Sequence, residues 1–448
     1  VSQEMNLLKL ADISKGRLFG ESISVNGFSI DTRSIENNDL FIALEGENFD
    51  GHEFISEAIA KGASALVVNR PIQSEIPHIL VDNTYEFIKQ VALFNREQFT
   101  GKMIGITGTN GKTTSKQITS NLLSQVKSCH KTTGNKNNQL GVPYSLLTLE
   151  ESHEFSVIEM GTSEPGEITI LNEQVKPDIA AITNVSMGHL DGLGDTESIA
   201  LEKGNILNFY SDNGIAILPR DSDFFDFWCK RTNASKKISF GFHQDSDFRV
   251  ANIEIDITNN LTHFNLSFDA KKIDISVKGI GQHNALNVAA SLAICVSCGL
   301  NIEAIKHHLK LVDLPERRLA VSSSLSDSIL IDDSYNSNPA SLKTALDSIE
   351  KLTRKKICVL GEMRELGFSS NQIHQDMYEY ASKRVDKILC IGEAWTHCKP
   401  RKKTDLVIFD NQQELFKYLV SIIDGNTIIL VKGSRSTRMD LIADKLKK

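Results

Sequence analysis

The chain lacks any apolar run approaching the ~18 residues needed to cross a bilayer. Residues 1–10 hold no basic segment leading into an apolar core, so they do not read as a secretory signal. Cysteine is sparse. Seven residues, an odd number and scattered, exclude a disulfide framework and fit reduced thiols in a cytoplasmic protein. The lone C-x-x-C, Cys295 and Cys298, has no second pair and sits in an apolar stretch, which reads as helix-core packing. Basic excess is also missing. With 49 Lys and Arg against 57 Asp and Glu, the net charge of -8 argues against nucleic acid as the main partner. No repeat of solenoid length and no low-complexity tract is evident. What remains is an ordinary soluble composition over 448 residues, a length that suggests about three domains.

The first hundred residues read as a small α/β domain, with strand-like 40–44, helix-like 54–61 and strand-like 65–68. A helix over 85–99 leads onward. A second block, 101–313, has strand candidates at 103–106, 155–158, 179–183 and 215–218 with helical patterns between most of them. Unalternating apolar strands in βα order predict a parallel sheet covered on both faces. From 239 to 279 the alternation changes and predicts antiparallel strands with one wet face, followed by a helix over 283–297. A third block, 314–448, has five short apolar runs, 329–331, 357–360, 388–391, 406–409 and 427–431, spaced as in a Rossmann-like doubly wound domain. The expected fold is therefore α/β in three domains: a small N-terminal α/β domain, a central phosphate-loop domain with an antiparallel addition, and a C-terminal Rossmann-like domain.

The chemistry begins at residues 105–114, Gly-Ile-Thr-Gly-Thr-Asn-Gly-Lys-Thr-Thr, between a buried strand and a helix expected over 115–125. A Gly-rich turn in that position can cradle phosphates with backbone N–H groups and the helix dipole. Lys112 can reach the terminal phosphates and the Thr113 hydroxyl can ligate Mg²⁺. Five residues separate Gly105 from Gly111, one more than the usual loop allows, so Gly108 is the turn glycine that matters. A tight Gly-rich hairpin is the alternative reading. Glu159 ends the next strand, where a Mg²⁺ ligand is wanted, although a surface or capping glutamate would look the same. His189 lies in a loop at the end of a third strand, a candidate for a second Mg²⁺. Lys203, among apolar helix positions, reads on sequence alone as a snorkelling lysine. In the third block, polar motifs sit at predicted strand ends: 332–336, 361–363 and 432–435.

Together these segments resemble the Mur ligase superfamily of ATP-dependent amide-forming enzymes over essentially the whole chain. G-T-N-G-K-T at 108–113 is shared across that superfamily and with folylpolyglutamate synthetases. Gly134, Asn135, Lys136, Asn137 and Asn138, followed by Gly141, Val142 and Pro143, are similar to the G-N-x-N-N…G-V-P signature of the branch that adds D-alanyl-D-alanine. Residues 333–339 resemble its D-x-Y-N-A-N-P motif with Ser337 for alanine. Residues 361–367 and 432–435 resemble its G-x-M-x-E-L-G and K-G-S-R segments. There are two departures: Lys136 stands where the family usually has an apolar residue, and residues 162–165 diverge from the family's N-H-P.

The resemblance implies roles. Gly108, Thr109, Asn110, Gly111, Lys112, Thr113 and Thr114 bind ATP phosphates. Thr113 and Glu159 hold one Mg²⁺, and His189 a second. Lys203 matches a lysine that is carbamylated, joining Lys112 and His189 in the catalytic set. Asn284 contacts adenine, Arg318 the ATP phosphates and Asp333 the ribose. Asp31, Thr32 and Arg33 lie near the uridine nucleotide, with Asp50, Gly51 and His52 beside them. Asn135, Asn137, Asn138, Tyr335, Asn336, Lys432, Ser434 and Arg435 serve the muramoyl peptide or the incoming dipeptide. The implied reaction joins D-alanyl-D-alanine to UDP-N-acetylmuramoyl-tripeptide through an acyl phosphate in a cytoplasmic monomer without membrane insertion. The alternatives are another ligase of the superfamily, folylpolyglutamate synthetase, or a nucleotide-dependent switch.

Overall fold

The computed structural model describes residues 5–46, 49–186, 190–400 and 406–448, with the side chains of 190 and 191 left aside. The chain divides into two compact units, residues 1–105, 126–160 and 170–177, and residues 106–125, 161–169 and 178–448.

In the first unit the strands are β1 (Arg17–Phe19), β2 (Gly27–Ser29), β3 (Asp39–Ile42), β4 (Glu45–Gly46), β5 (Phe49–Asp50), β6 (Ala63–Val68) and β7 (His78–Leu80). Five of them form one sheet in the order β1-β7-β6-β3-β2, with β1 antiparallel to β7 and the other pairs parallel. The expected runs at 40–44 and 65–68 are its central strands. They are buried without alternation because both faces are covered. The short edge strands carry too little pattern to stand out in sequence. The helix Thr84–Gln98 starts at Asn83, whose side chain accepts from the N–H groups of Tyr85 and Glu86. Strand β8 (Lys102–Thr107) begins here, and β9 (Cys129–Lys131) pairs in parallel with β10 (Phe155–Glu159).

In the second unit the end of β8 runs into the helix Lys112–Ser124, which starts three residues earlier than expected, at the loop lysine itself. β11 (Ile179–Ile182), β12 (Ile215–Pro219), β13 (Lys236–Gly241) and β14 (Phe248–Asp256) pair in parallel. β14, β15 (Leu261–Phe268) and β16 (Lys271–Lys278) pair antiparallel. The antiparallel part therefore begins at β14. Residues 239–241 belong to the parallel strand β13, whose later half is buried like its parallel neighbours. The helix Gln282–Ser297 buries Cys295 and ends at Cys298.

The last sheet contains β17 (Ala320–Ser323), β18 (Ile329–Asp333), β19 (Lys355–Gly361), β20 (Lys387–Ile391), β21 (Leu406–Phe409) and β22 (Thr427–Lys432). Its order is β17-β18-β22-β19-β20-β21, parallel except for β17 at the edge. Separate apolar clusters, one around Ile331, Leu346 and Tyr378 and the other around Leu330, Leu419 and Ile442, pack on it. This is the doubly wound pattern the five apolar runs predicted. It brings the carboxyl ends of β18, β22 and β19 side by side: Asp333 pairs in register with Lys432, and Lys432 with Leu360.

Candidate active site

The phosphate loop is built for close backbone approach. At Gly108, φ is 148° and a Cβ would lie 1.9 Å from the Thr183 hydroxyl. At Gly111, the cap of the helix Lys112–Ser124, φ is 83° and a Cβ would lie 2.4 Å from Asn287 Oδ1. Neither position accepts a side chain. The loop is pinned from β11. Thr183 donates to Asn110 O at 2.6 Å, and Asn184 receives the Asn110 N–H at 3.0 Å while donating to Asn110 O at 2.8 Å. Thr109 donates to Ser186 O. The helix N-terminus has no side-chain cap at Gly111, and the positive end of its dipole favours an anion there. Lys112 Nζ folds back onto Gly108 O at 2.6 Å and Thr109 O at 3.2 Å.

Segments distant in sequence meet this loop. Arg318 donates to Thr113 Oγ1 at 3.3 Å and stacks its guanidinium over Tyr335, 4.3 Å from the ring centroid. Asn338 and Asn110 exchange amide hydrogen bonds at 3.0 and 3.4 Å. Asn338 caps the helix Pro339–Glu350, and nothing local in the sequence marks it as a partner of the phosphate loop. Arg318 lies between two residues with left-handed backbone, Arg317 (φ 58°) and Leu319 (φ 51°). That strain is held by Leu319 N–H donating to Asp333 Oδ1 and by Arg317 O accepting from Tyr335 N–H. Asn284 is buried, its amide donating to Ile280 O. Beside it His283 is held down to about 4, first by burial and then by Lys432 and Arg318.

Lys203 is 1% exposed, and its Nζ has no hydrogen-bond partner among the described residues. Burial first, then the Lys112 charge, drives its pKa well below the ordinary lysine value, while Glu202 opposes. Glu202 itself serves the backbone, accepting from Gly166 and Ile168 N–H. The helical face expected to snorkel is in fact turned inward. His189 lies outside the described residues.

The C-terminal sheet edge carries a cavity of about 580 Å³ lined by Asn336, Asn338, Arg364, Ser434, Arg435 and Arg438 among others. Lys432 donates to Asp333 at 2.5 Å and to Asn336 O at 2.9 Å. Ser434 accepts from Arg364 N–H, and its own N–H reaches Glu362 O. Under this turn lies His374, which sequence reasoning missed because an isolated histidine on a helix gives no signal. It is fully buried, Nδ1 donating to Ser370 O at 2.7 Å and Nε2 accepting from Met363 N–H at 3.1 Å.

In the first unit Glu159 ends β10 almost fully buried. Its Oε1 accepts from Asn137 at 2.7 Å and its N–H donates to Thr132. Asn138 accepts from Gly141 N–H, while the Asn135 side chain is exposed. Arg33 forks onto Asp31 at 2.9 and 2.6 Å and holds that carboxyl down at about 2. Thr32 donates to Glu57. Asp50 accepts from His52 N–H, His52 Nδ1 and Arg70, which hold it at about 2. His52 Nε2 accepts from Asn69 N–H, so its Nδ1 carries the proton. Thus 31–33 and 50–52 each form a polar turn, the first tied to Glu57 and the second to Asn69 and Arg70.

Comparison with known proteins identifies the family. Residues 24–104 match the Mur ligase family catalytic domain, 106–295 the Mur ligase middle domain, and 293–435 the Mur ligase glutamate ligase domain. The UDP-N-acetylmuramoyl-tripeptide–D-alanyl-D-alanine ligase of Escherichia coli is 32% identical over 99% of this chain and 98% of its own length. The crystal structure of MurF from Acinetobacter baumannii superposes with a TM-score of 0.88 at 30% identity, covering 100% of both chains. MurF from Thermotoga maritima in complex with ADP superposes with a TM-score of 0.82 at 27% identity, covering 94% of this chain and 97% of its own. Phosphate loop, strand-end motifs and full-length similarity converge: the chain belongs to the Mur ligase family.

Proposed function

We infer that the protein is an ATP-dependent ligase that joins D-alanyl-D-alanine to UDP-N-acetylmuramoyl-tripeptide, a step of peptidoglycan precursor synthesis. The observation that carries this is the joining of the phosphate loop to the D-x-Y-N-x-N-P turn through Asn110–Asn338 and Thr113–Arg318. That linkage ties the nucleotide loop to a second polar cavity, as a two-substrate transfer requires. A carboxylate is inert toward an amine because oxide is a poor leaving group. ATP is the substrate that changes this. The tripeptide carboxylate takes the γ-phosphoryl group, ADP leaves, and the amine of the dipeptide then displaces phosphate from the acyl carbon.

The residues divide the work. The loop N–H groups and Lys112 hold phosphate oxygens, and Arg318, braced on Tyr335, brings a second fixed charge to Thr113. Asn284 and Asp333 serve the nucleoside. Asn336, Lys432, Ser434 and Arg435 line or brace the cavity for the dipeptide and the transferring phosphate. Asp31, Thr32, Arg33, Asp50, Gly51, His52, Asn135, Asn137 and Asn138 serve the UDP-muramoyl peptide. Residues 1–100 form the UDP-substrate domain, 101–313 the ATP domain and 314–448 the domain that covers ATP and takes the dipeptide. The enzyme acts as a cytoplasmic monomer. Among the described residues no helix is long and apolar enough to cross a membrane.

The donors fit hard divalent cations: Thr113 offers a hydroxyl at a phosphate loop, and Glu159 is a buried carboxylate oriented by Asn137. Thr113 and Glu159 would hold one Mg²⁺ and His189 would help hold a second. The metal would neutralise phosphate charge during transfer. Lys203 fits a carbamate: its buried amine lacks a hydrogen-bond partner among the described residues and is shifted toward the neutral form that adds carbon dioxide.

The test is the product mass from ATP, D-alanyl-D-alanine and UDP-muramoyl-tripeptide carrying diaminopimelate or lysine. Amide product that depends on both acceptor and donor is expected. Phosphate release without an acceptor would sink the ligase reading in favour of a switch. Product from glutamate or single amino acids would point to another ligase of the family.

A further inference from the structure

Lys136 is the only cation in residues 134–143. Its Nζ lies 3.9 Å from the ring centroid of Tyr144. The ring is a fixed shelf, because the Tyr144 hydroxyl donates to Phe28 O at 2.6 Å and the side chain is largely buried. Phe28 belongs to β2, three residues before the Asp31 turn. The shelf therefore holds the ammonium beside residues 31–33. Asp31 acts on Lys136 electrostatically without pairing to it, since its carboxylate is forked by Arg33. Among the described residues no carboxylate forms a salt bridge with Lys136. A lysine covering apolar surface carries its head out to water. This one lays its head on an aromatic face, half-buried, where lost hydration is only partly replaced. Among the described residues, a cation so placed has an anion nearby but none paired with it.

We propose that Lys136 is a specificity-determining residue that grips an oxyanion of the UDP-muramoyl-peptide, a diphosphate or peptide-carboxylate oxygen, beside the Asp31–Arg33 turn. This rests on the ligase reading above. The test is steady-state kinetics of the full chain with Lys136→Met, which keeps the stem on Tyr144 and removes the charge, and with Lys136→Arg, which keeps the charge.

For Lys136→Met the KM for UDP-muramoyl-tripeptide rises about tenfold or more, the loss of one charge-assisted hydrogen bond. Turnover, melting temperature and the KM values for ATP and D-alanyl-D-alanine stay within about twofold. Lys136→Arg recovers most of the loss. Diaminopimelate carries a side-chain carboxylate that lysine lacks. A loss confined to the diaminopimelate substrate places the grip on that carboxylate. An equal loss on both places it on the diphosphate or a shared carboxylate. Unchanged KM for both substrates in Lys136→Met overturns the proposal. Absence of amide product from the unaltered enzyme would instead overturn the ligase reading.

Discussion

Lys432 sits 2.5 Å from Asp333 at the ends of two neighbouring strands, 99 residues apart in sequence and both almost out of water. Burial pushes the Asp333 pKa up, and Lys432 is the first opposing influence. A buried pair is costly to break because the survivor is left charged and unpaired. Lys432→Met is expected to destabilise the protein by about 3–5 kcal/mol. Losing the lysine raises the folded-state pKa of Asp333 further. A raised carboxyl is destabilising only where it is ionised, so the variant's deficit should shrink as pH falls through that value. Denaturant melts between pH 7 and 4 check this. A deficit independent of pH would show that Lys432 matters through packing alone.

Gly108 makes a sharper case, since sequence alone chose it over Gly105. Its φ of 148° and the 1.9 Å that would separate a Cβ from Thr183 Oγ1 leave no room for alanine. Gly108→Ala should cost roughly 1–3 kcal/mol of stability from backbone strain. It should weaken ATP binding at least about tenfold, because the loop must shift away from Thr183 and Asn184. Calorimetric titration with ATP and Mg²⁺ decides. Gly105→Ala is the comparison, and equal loss in both would mean that the turn does not centre on Gly108.

How much was legible follows from where the signal resides. The loop at 108–113 was readable because glycine spacing, lysine and the strand-to-helix context are local. The strand-end positions of Asp333, Gly361 and Lys432 followed from the doubly wound pattern, which makes parallel strands share one functional edge. Lys203 was not readable. Burial depends on what packs over a helix face, and the mixed apolar and charged neighbours of Lys203 mark no buried face. His374 was invisible for the same reason. Its role comes from two backbone groups, Ser370 O and Met363 N–H, whose meeting only the folded helix fixes. The strain at Arg317 and Leu319 was equally hidden, because neither residue type favours a left-handed backbone.

His374 supports the turn that carries Arg364 through Met363 N–H, and it does so only as the neutral tautomer with the proton on Nδ1. Burial holds its pKa below the usual 6.5. A depressed histidine contributes stability that is present above the unfolded value and lost as pH falls through the folded one. The KM for D-alanyl-D-alanine should therefore stay level through pH 6.5, the ordinary histidine value, and climb only at the lower pH where the depressed folded-state imidazole takes up a proton. His374→Leu should raise that KM several-fold at pH 7.5 and abolish the acid limb. His374→Gln, which keeps an acceptor for Met363, should recover part. A KM for the dipeptide unmoved in His374→Leu, with only the melting temperature lowered, would reduce His374 to a core residue.

Lys203 offers the most direct chemical test. An ammonium buried at 1% exposure near Lys112 is doubly unfavourable, by desolvation and by like charge. Carbamylation converts it to an anion that Lys112 attracts. In ¹³C-bicarbonate the protein should therefore show a carbamate carbon resonance that Lys203→Ala lacks. That variant should lose about 100-fold or more in turnover, the scale set by removing one preorganised charge from a transfer site. Formate or acetate should restore part of it by supplying an unattached carboxylate. Lys203→Arg, always charged and unable to add carbon dioxide, should stay inactive even with those additives. No carbamate resonance in the unaltered protein, together with no rescue of Lys203→Ala, would leave Lys203 as a buried amine whose role is to shape the helix face.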